Sequence, residues 1–258
     1  MSVPRFFTRD RFGQLCIGDF VEVQLAEADA HHAARVLRLS AGDMVEAVDP
    51  SGRVLLIRLG EPPANSLRGF AARMDEPRSW PRVTLFQGMA KGDKTDLVVE
   101  KAVEIGVSAV VPVLFGRSVV TLNPQRRLAR GERLRRVALA AARQSKRNFV
   151  PQVHDPVEFT SALSLLGEYD AVLVAREGVD DLPGAGEALA SAGLQPPENV
   201  AVVVGPEGGF NREETEALDD MGATGFTLGD TVLRTETAGI VALSLVLYSL
   251  GALGGRLK

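Results

Sequence analysis

The chain reads as an α/β protein: a parallel sheet with helices on both faces, preceded by a small β-barrel. Two observations predict this. From Arg82 onward, short apolar runs rich in β-branched residues alternate with stretches of helical periodicity, the pattern that builds a parallel sheet from crossover units. Before about residue 72 the runs are short strands broken by Gly, Asp and Pro, with one helix among them. A linker is expected over 73–81, containing Pro77, Ser79 and Pro81, so the domains are set at 1–72 and 82–258.

In the first module, strands are expected over 14–17, 20–25, 44–48 and 53–59, with Asp49-Pro50-Ser51-Gly52 as a hairpin turn. A helix is expected over about 27–39, with Asp29 or a neighbour as its cap. His31 and His32 lie on it, but adjacent helical residues do not share a face. His154 and Cys16 stand at no convincing ligand spacing, so packing or capping is expected there and no metal. In the second module, strands are expected over 83–87, 109–113, 171–175 and 200–204, and helices over about 93–105, 125–145 and 182–192.

Composition narrows the class. At 258 residues, 45% hydrophobic and 24% charged, the chain has the make-up of an ordinary soluble globular protein with a sizeable core. A single cysteine, Cys16, excludes an internal disulfide and a cysteine-cluster metal site, and suits a reducing cytoplasm. Met1-Ser2-Val3-Pro4-Arg5 meets charge without a following apolar segment, so no secretory leader is expected. The uncharged stretch 237–253 is shorter than the roughly 20 residues of a membrane span and carries Ser244, Tyr248 and Ser249. It reads as a core helix shared with a partner subunit, and no membrane partner is expected.

The net charge of −4 hides an asymmetry. Between Arg126 and Arg147 stand nine basic residues against one acidic, Glu132. A charge run is often a solvated helix face. Like charges at helical spacing repel unless something anionic lies across them, which makes a polyanion surface the other reading.

The stretch 200–253 carries the most chemistry. Ala201-Val202-Val203-Val204 reads as a buried strand running into Gly205-Pro206-Glu207-Gly208-Gly209-Phe210, where three glycines let a ligand approach bare backbone. Asn211 starts a helix, with Glu214 as its capping-box partner. The logic repeats: a strand over 225–228, a break at Gly229-Asp230, then Val232-Leu233-Arg234-Thr235-Glu236-Thr237-Ala238-Gly239 into the apolar helix. Glycine loops at the carboxyl ends of strands are where an open α/β sheet binds a ligand. Spacing alone leaves a plain strand-to-helix turn open. A phosphate loop is excluded, because no Lys-Ser or Lys-Thr follows Gly208-Gly209 and no G-x-G-x-x-G follows a strand. Glu207 favours a neutral or cationic ligand with an adenine or ribose edge.

Val203 to Phe210, Leu228-Gly229 and Val232 to Ala238 closely resemble the cofactor loops of the SPOUT methyltransferase superfamily, and within it the bacterial 16S ribosomal RNA (uracil-N3)-methyltransferases. His31-His32-Ala33-Ala34-Arg35-Val36-Leu37-Arg38 followed by Gly42-Asp43 fits the same family. So does Lys91-Gly92-Asp93-Lys94 followed by Glu100-Lys101-Ala102-Val103-Glu104-Ile105-Gly106-Val107. The resemblance spans essentially the whole chain in order. It implies a SPOUT-type parallel sheet with a C-terminal trefoil knot, a PUA-like barrel, S-adenosylmethionine as cofactor without metal, and a cytoplasmic homodimer. The implied partner is 16S rRNA of the small ribosomal subunit.

The resemblance also implies site residues. Gly205, Gly208, Gly209, Leu228, Gly229 and Leu233 would hold the adenosine through their backbones, with Ala175, Val204, Pro206, Arg234 and Thr235 around it. Glu177 and Glu207 are candidates for the ribose hydroxyls. Arg234 and Glu236 are the catalytic candidates, with a structural ion pair at a helix start as the other reading. An arginine suits charge stabilisation on uracil O2 and O4, and a carboxylate suits proton removal from N3 or orientation of that arginine. The resemblance implies RNA contacts near the target base for Lys91, Lys94 and Arg117; Arg133, Arg136, Arg143, Lys146 and Arg147 are candidates from the basic run, and Arg5, Arg9, Arg35 and Arg38 as surface arginines of the first module. Lys94, Lys101 and Glu104 read equally as ordinary helix-surface charges. The family more often has glutamate and glycine where this chain has Arg143 and Lys146. Two other functions stay open: methylation of another RNA nucleotide, and a non-catalytic RNA-binding or ribosome-assembly role.

Overall fold

Five short strands form the first sheet: β1 (Arg5–Phe7), β2 (Phe20–Gln24), β3 (Met44–Val48), β4 (Val54–Leu59) and β5 (Ser66–Asp75), in the order β1-β3-β4-β5-β2. The computed structural model describes residues 3–77, 81–179, 181–192 and 198–254, so the expected linker residue Ser79 lies outside the described residues. The chain divides into two units, Met1–Ser79 with Ala142–Val150, and Trp80–Ala141 with Pro151–Lys258.

In the first unit the period of two along each strand sends one set of side chains inward. Phe6, Val21, Val23, Val45, Ala47, Leu55, Ile57 and Leu67 form its core. The barrel expected from the sequence has no ladder between β1 and β2 among the described residues. Thr8 Oγ1 donates to the Gln24 carbonyl at 3.5 Å across that gap. β3 and β4 fall where expected, and Gly52 N–H donates to Asp49 O at 2.9 Å in the turn between them. Residues 14–17 are not a strand. β1 and β5 were not expected: β1 is three residues long, and β5 carries Gly69 and two arginines in place of a β-branched run. Gly69 is required there, because a Cβ would lie 2.1 Å from the Arg58 carbonyl oxygen. The helix is α1 (Glu27–His31), continued by a π-helical turn over His32–Val36, and its N-cap is Ala26 rather than Asp29.

Asp29 is buried and pairs with Arg143. The expected domain boundary at 72 falls inside β5, and 142–150 groups with the first module. Lys146 Nζ meets Glu46 Oε2 at 2.8 Å, and Arg5 Nε meets the same oxygen at 2.9 Å. Arg5 Nη1 also donates to the carbonyls of Lys146 and Arg147 at 2.6 and 2.8 Å. Burial pushes the Glu46 carboxyl up, but Arg5 and Lys146 outweigh it and hold the group below its ordinary value. Lys146 adopts φ +59°, in the left-handed region that favours glycine. Arg147 lies 4.5 Å from the Phe149 ring centroid, and burial lowers its pKa to about 10. Arg5, Arg143, Lys146 and Arg147, candidates for RNA contacts, thus bind their own unit together.

The second unit is built on a parallel sheet ordered β12-β10-β11-β6-β7-β8, with a short β9 also paired to β7. Its strands are β6 (Arg82–Gly88), β7 (Ala109–Leu114), β8 (Gln152–Val153), β9 (Val157–Glu158), β10 (Ala171–Arg176), β11 (Asn199–Val204) and β12 (Thr224–Thr227). The helices are α2 (Lys94–Ile105), α3 (Pro124–Gln144), α4 (Phe159–Leu166), α5 (Ala185–Ser191), α6 (Arg212–Asp220) and α7 (Thr235–Ser249). Ala162 and Leu166 of α4 and Leu218 of α6 close over Phe86, Val111, Val113, Val174, Ala201 and Val203. The alternate strand residues point to the opposite face, where α2, α5 and α7 pack. α4, β8 and β9 were not expected, being too short to show a period. α7 is uncharged apart from Glu236 because it lies against α2, α5, β6 and β11. No described helix is long and apolar enough to cross a membrane.

The arginines of α3 correct the reading of a one-signed face. Arg130 reaches Asp96 at 3.0 Å, Arg133 reaches Asp96 at 2.5 Å and Asp93 at 2.7 Å, and Arg135 reaches Asp155 at 2.8 Å. Arg127 pairs with Glu158. The anionic partners are Asp93 and Asp96 at the start of α2, Asp155 in the loop between β8 and β9, and Glu158 of β9, all distant from the arginines in sequence. Arg126 and Arg136 form no ion pair among the described residues.

Arg143→Ala is expected to destabilise the chain by about 2 kcal/mol in urea denaturation. That falls below the roughly 3–5 kcal/mol of breaking a fully buried pair, because the Arg143 side chain keeps 28% of its exposure.

Candidate functional site

At the carboxyl ends of β10, β11 and β12 three loops enclose a cavity of about 630 Å³. Ala175 and Glu177 line it from the end of β10. Val204, Gly205, Pro206, Glu207, Gly208 and Gly209 follow from β11, Leu228 and Gly229 from β12, and Leu233, Arg234 and Thr235 from the entry to α7. Every residue singled out for the cofactor therefore faces one space. Lys94 and Arg117, singled out for RNA, line it too. Arg176, Val179, Phe210, Thr215, Thr231, Val232 and Ala238 complete the wall, none of them named above as a cofactor residue.

The loop after β11 holds its shape for steric reasons that only glycine meets. A Cβ on Gly88 would sit 2.3 Å from Pro206 N, and one on Gly208 would sit 2.8 Å from Arg117 Cβ. The far end of the loop is pinned by the expected capping box. Asn211 Oδ1 accepts from Glu214 N–H at 2.8 Å, and Glu214 Oε2 accepts from Asn211 N–H at 2.8 Å. Glu214 Oε1 also accepts from Gly116 N–H at 2.7 Å, tying the loop to the end of β7. Arg117 Nη1 donates to the carbonyls of Gly208 and Phe210 at 3.3 and 3.0 Å. Its place is therefore explained as a buttress of the loop.

Charge is arranged around Lys94, the first residue of α2. Its ammonium lies 3.3 Å from Glu236 Oε1 and 3.8 Å from Glu207 Oε1. Lys91 N–H adds a bond to Glu207 Oε1 at 3.2 Å. Glu236 thus pairs with Lys94 rather than Arg234, and it lies behind the cavity wall rather than in it. Burial pushes its carboxyl up, but its own backbone N–H, Lys94 and Arg234 outweigh burial and hold it below its ordinary value. Arg234 is exposed at the N-cap of α7 and forms no ion pair among the described residues. Lys101 is engaged with Glu100 and Glu104 at 2.8 and 2.9 Å, an ordinary helix-surface arrangement away from the cavity. Arg9, Arg35, Arg38, Lys91 and Arg136 form no ion pair among the described residues.

One participant was missed from sequence: Gln87, a buried amide beneath the cavity that donates to Thr235 Oγ1 at 2.9 Å. A polar residue closing an apolar strand run was the available signal.

The cavity walls present bare backbone, apolar side chains, the carboxylates Glu177 and Glu207, and the cations Lys94, Arg117, Arg176 and Arg234. Lys94 and Arg176 are paired with carboxylates and Arg117 with loop carbonyls, so the set suits a ligand with polar edges and an apolar body.

The model for an RNA methyltransferase domain matches residues 78–247, and that for an RNA methyltransferase PUA domain matches residues 25–67. The ribosomal RNA small subunit methyltransferase E of Bacillus subtilis is 32% identical over 231 residues, covering 88% of this chain and 90% of that protein. The protein of the same name from Mycobacterium bovis is 34% identical over 227 residues, covering 84% and 83%. Among solved structures, a ribosomal RNA small subunit methyltransferase E from Neisseria gonorrhoeae bound to S-adenosyl methionine superposes with a TM-score of 0.78 at 26% identity, covering 96% of this chain and 98% of that one. With the family's domain model matched over most of its length and a shared fold from end to end, this chain belongs to the RNA methyltransferase family, in the ribosomal RNA small subunit methyltransferase E group.

Proposed function

We propose that this chain transfers the methyl group of S-adenosylmethionine to N3 of a uridine in 16S rRNA of the small ribosomal subunit, as a cytoplasmic homodimer. Its family makes it an S-adenosylmethionine-dependent ribosomal RNA methyltransferase; the atom and the strand are the finer part of the reading. The observation that carries it is the single cavity where the two glycine loops converge, with Arg234 unpaired at its rim. The same reading brings the trefoil knot of the SPOUT fold. It also has a second copy covering the apolar residues Leu97, Leu245 and Tyr248, which α2 and α7 leave exposed.

The bare backbone at Gly205, Gly208, Gly209 and Gly229 suits the adenosine, and Glu177 and Glu207 are placed for its ribose hydroxyls. S-adenosylmethionine supplies an electrophilic methyl on a sulfonium, open to in-line displacement. Uracil N3 attacks only once its imide proton has left, so the protein must stabilise the anion that forms. Arg234, permanently charged and without a carboxylate partner, donates to a uracil carbonyl oxygen where that charge resides. Lys94 adds a second cation at the same wall. Glu236, with its carboxyl held below its ordinary value, is a poor base and serves to position Lys94. N3 lies on the Watson–Crick edge, so the target base must be unpaired or flipped before it enters.

The test is methyl transfer from labelled S-adenosylmethionine to small subunits lacking native modification, followed by nucleoside mass spectrometry. 3-Methyluridine is the expected product. A different methylated nucleoside overturns the acceptor, and cofactor binding without transfer to subunits or naked RNA overturns catalysis.

Arg234→Ala is expected to lower kcat by about 100-fold or more, the order seen when one transition-state donor is removed, with the oligomeric state unchanged by light scattering. Unchanged turnover would remove Arg234 from the site.

Glu236 gives a pH signature. Its depressed carboxyl contributes stability that is present above its ordinary value of 4.5 and lost as the pH falls through the lower folded value. The melting-temperature difference between native chain and Glu236→Gln should stay constant from neutral pH down to that ordinary value and shrink below it.

Arg136→Glu should weaken RNA binding and lower the slope of log K against log salt by about 0.7–0.9 for each phosphate that is no longer neutralised. Arg133→Glu should chiefly lower the melting temperature, since it places a carboxylate against Asp96. A salt slope that Arg136→Glu leaves unmoved would turn that side chain to solvent.

A further inference from the structure

We infer that Gln87 is a positioning residue for the proposed methyl transfer, its side-chain amide joining the two loops that form the cavity and so setting how tightly the cofactor is held. The inference rests on the functional reading above. Gln87 stands near the end of β6, 1% exposed. Its Nε2 donates to Thr235 Oγ1 at 2.9 Å and to the Gly88 carbonyl at 3.2 Å. The Thr235 hydroxyl in turn donates to the Gly205 carbonyl at 2.5 Å. A single relay therefore runs from β6 to the first turn of α7 and to the first glycine of the loop after β11. Gly205 and Thr235 line the cavity, whereas Gln87 does not. Arg234 and Glu236 flank Thr235, so the same relay fixes where their backbone stands.

Core stability does not account for this glutamine. Its Oε1 is buried without a hydrogen-bond partner, held against α7 where a Cβ on Gly239 would come within 2.2 Å. An orphaned buried amide oxygen is unfavourable, and an apolar side chain of like volume would fill the space without that loss. What glutamine supplies, and methionine or leucine lack, is Nε2 aimed at two acceptors. An amide kept with one atom orphaned so that the other can reach Thr235 points to a site requirement.

The test uses the full chain, with S-adenosylhomocysteine binding measured by calorimetry and stability by thermal melting. Gln87→Met should raise Kd at least tenfold without lowering the melting temperature. Thr235→Val should weaken binding similarly, and the double variant should bind no worse than the weaker single, because both remove one relay. Thr235→Ser keeps the hydroxyl and should bind more tightly than Thr235→Val. If Gln87→Met misfolds, Gly239→Ala serves instead, pressing a methyl onto Oε1 from outside the cavity, with the same tenfold loss expected. A Kd within twofold of native in Gln87→Met, or additive losses in the double variant, overturns the inference and leaves the functional reading intact. Failure of the native chain to bind S-adenosylhomocysteine overturns both.

Discussion

The close approach of backbone to backbone beneath the Gly205–Pro206 peptide is the constraint on which the second unit depends. β6 and β11 are neighbours in the sheet, and Gln87 pairs with Val204 at its carboxyl end. One residue further, β6 must pass under the loop that leaves β11, and Gly88 alone makes room. Had the loop been lifted by the width of a methyl group, Thr235 would lose the Gly205 carbonyl and α7 would start elsewhere. The cavity, the placement of Arg234 and the bridge from Lys94 to Glu236 all follow from that close approach.

Charge serves two different purposes in this chain, and the structure separates them. Arg5, Arg127, Arg130, Arg133, Arg135, Arg143 and Lys146 are matched to carboxylates within their own units. Arg9, Arg35, Arg38, Lys91, Arg136 and Arg234 have no such match among the described residues. Charges of the second kind are open to an external anion at no cost in broken ion pairs.

The elements of the second unit were legible because most of them are long enough to show a period. β6, β7, β10, β11, α2 and α3 fall within a residue or two of expectation, and the Asn211–Glu214 box could be read from two letters. The glycine loops were legible for the same local reason. What could not be read was everything decided by partners far off in the chain. The acids that meet the α3 arginines lie before and after it, and nothing local to Arg133 points to Asp96. β5 was missed because its pairing depends on Gly69 fitting against Arg58, a fact about β4. The alternative reading of Glu236 as an ion-pair partner of Arg234, two residues away, gives way to Lys94, brought in by α2.

Lys146 ties a strained backbone to a distant carboxylate. A non-glycine residue in the left-handed region carries a strain of about 1–2 kcal/mol. Here that residue also places an ammonium on Glu46, a carboxylate already held by Arg5. Glycine at 146 would relieve that strain but would leave Glu46 to Arg5 alone, so the backbone at 146 and a carboxylate on β3, a hundred residues away, are coupled through one ammonium.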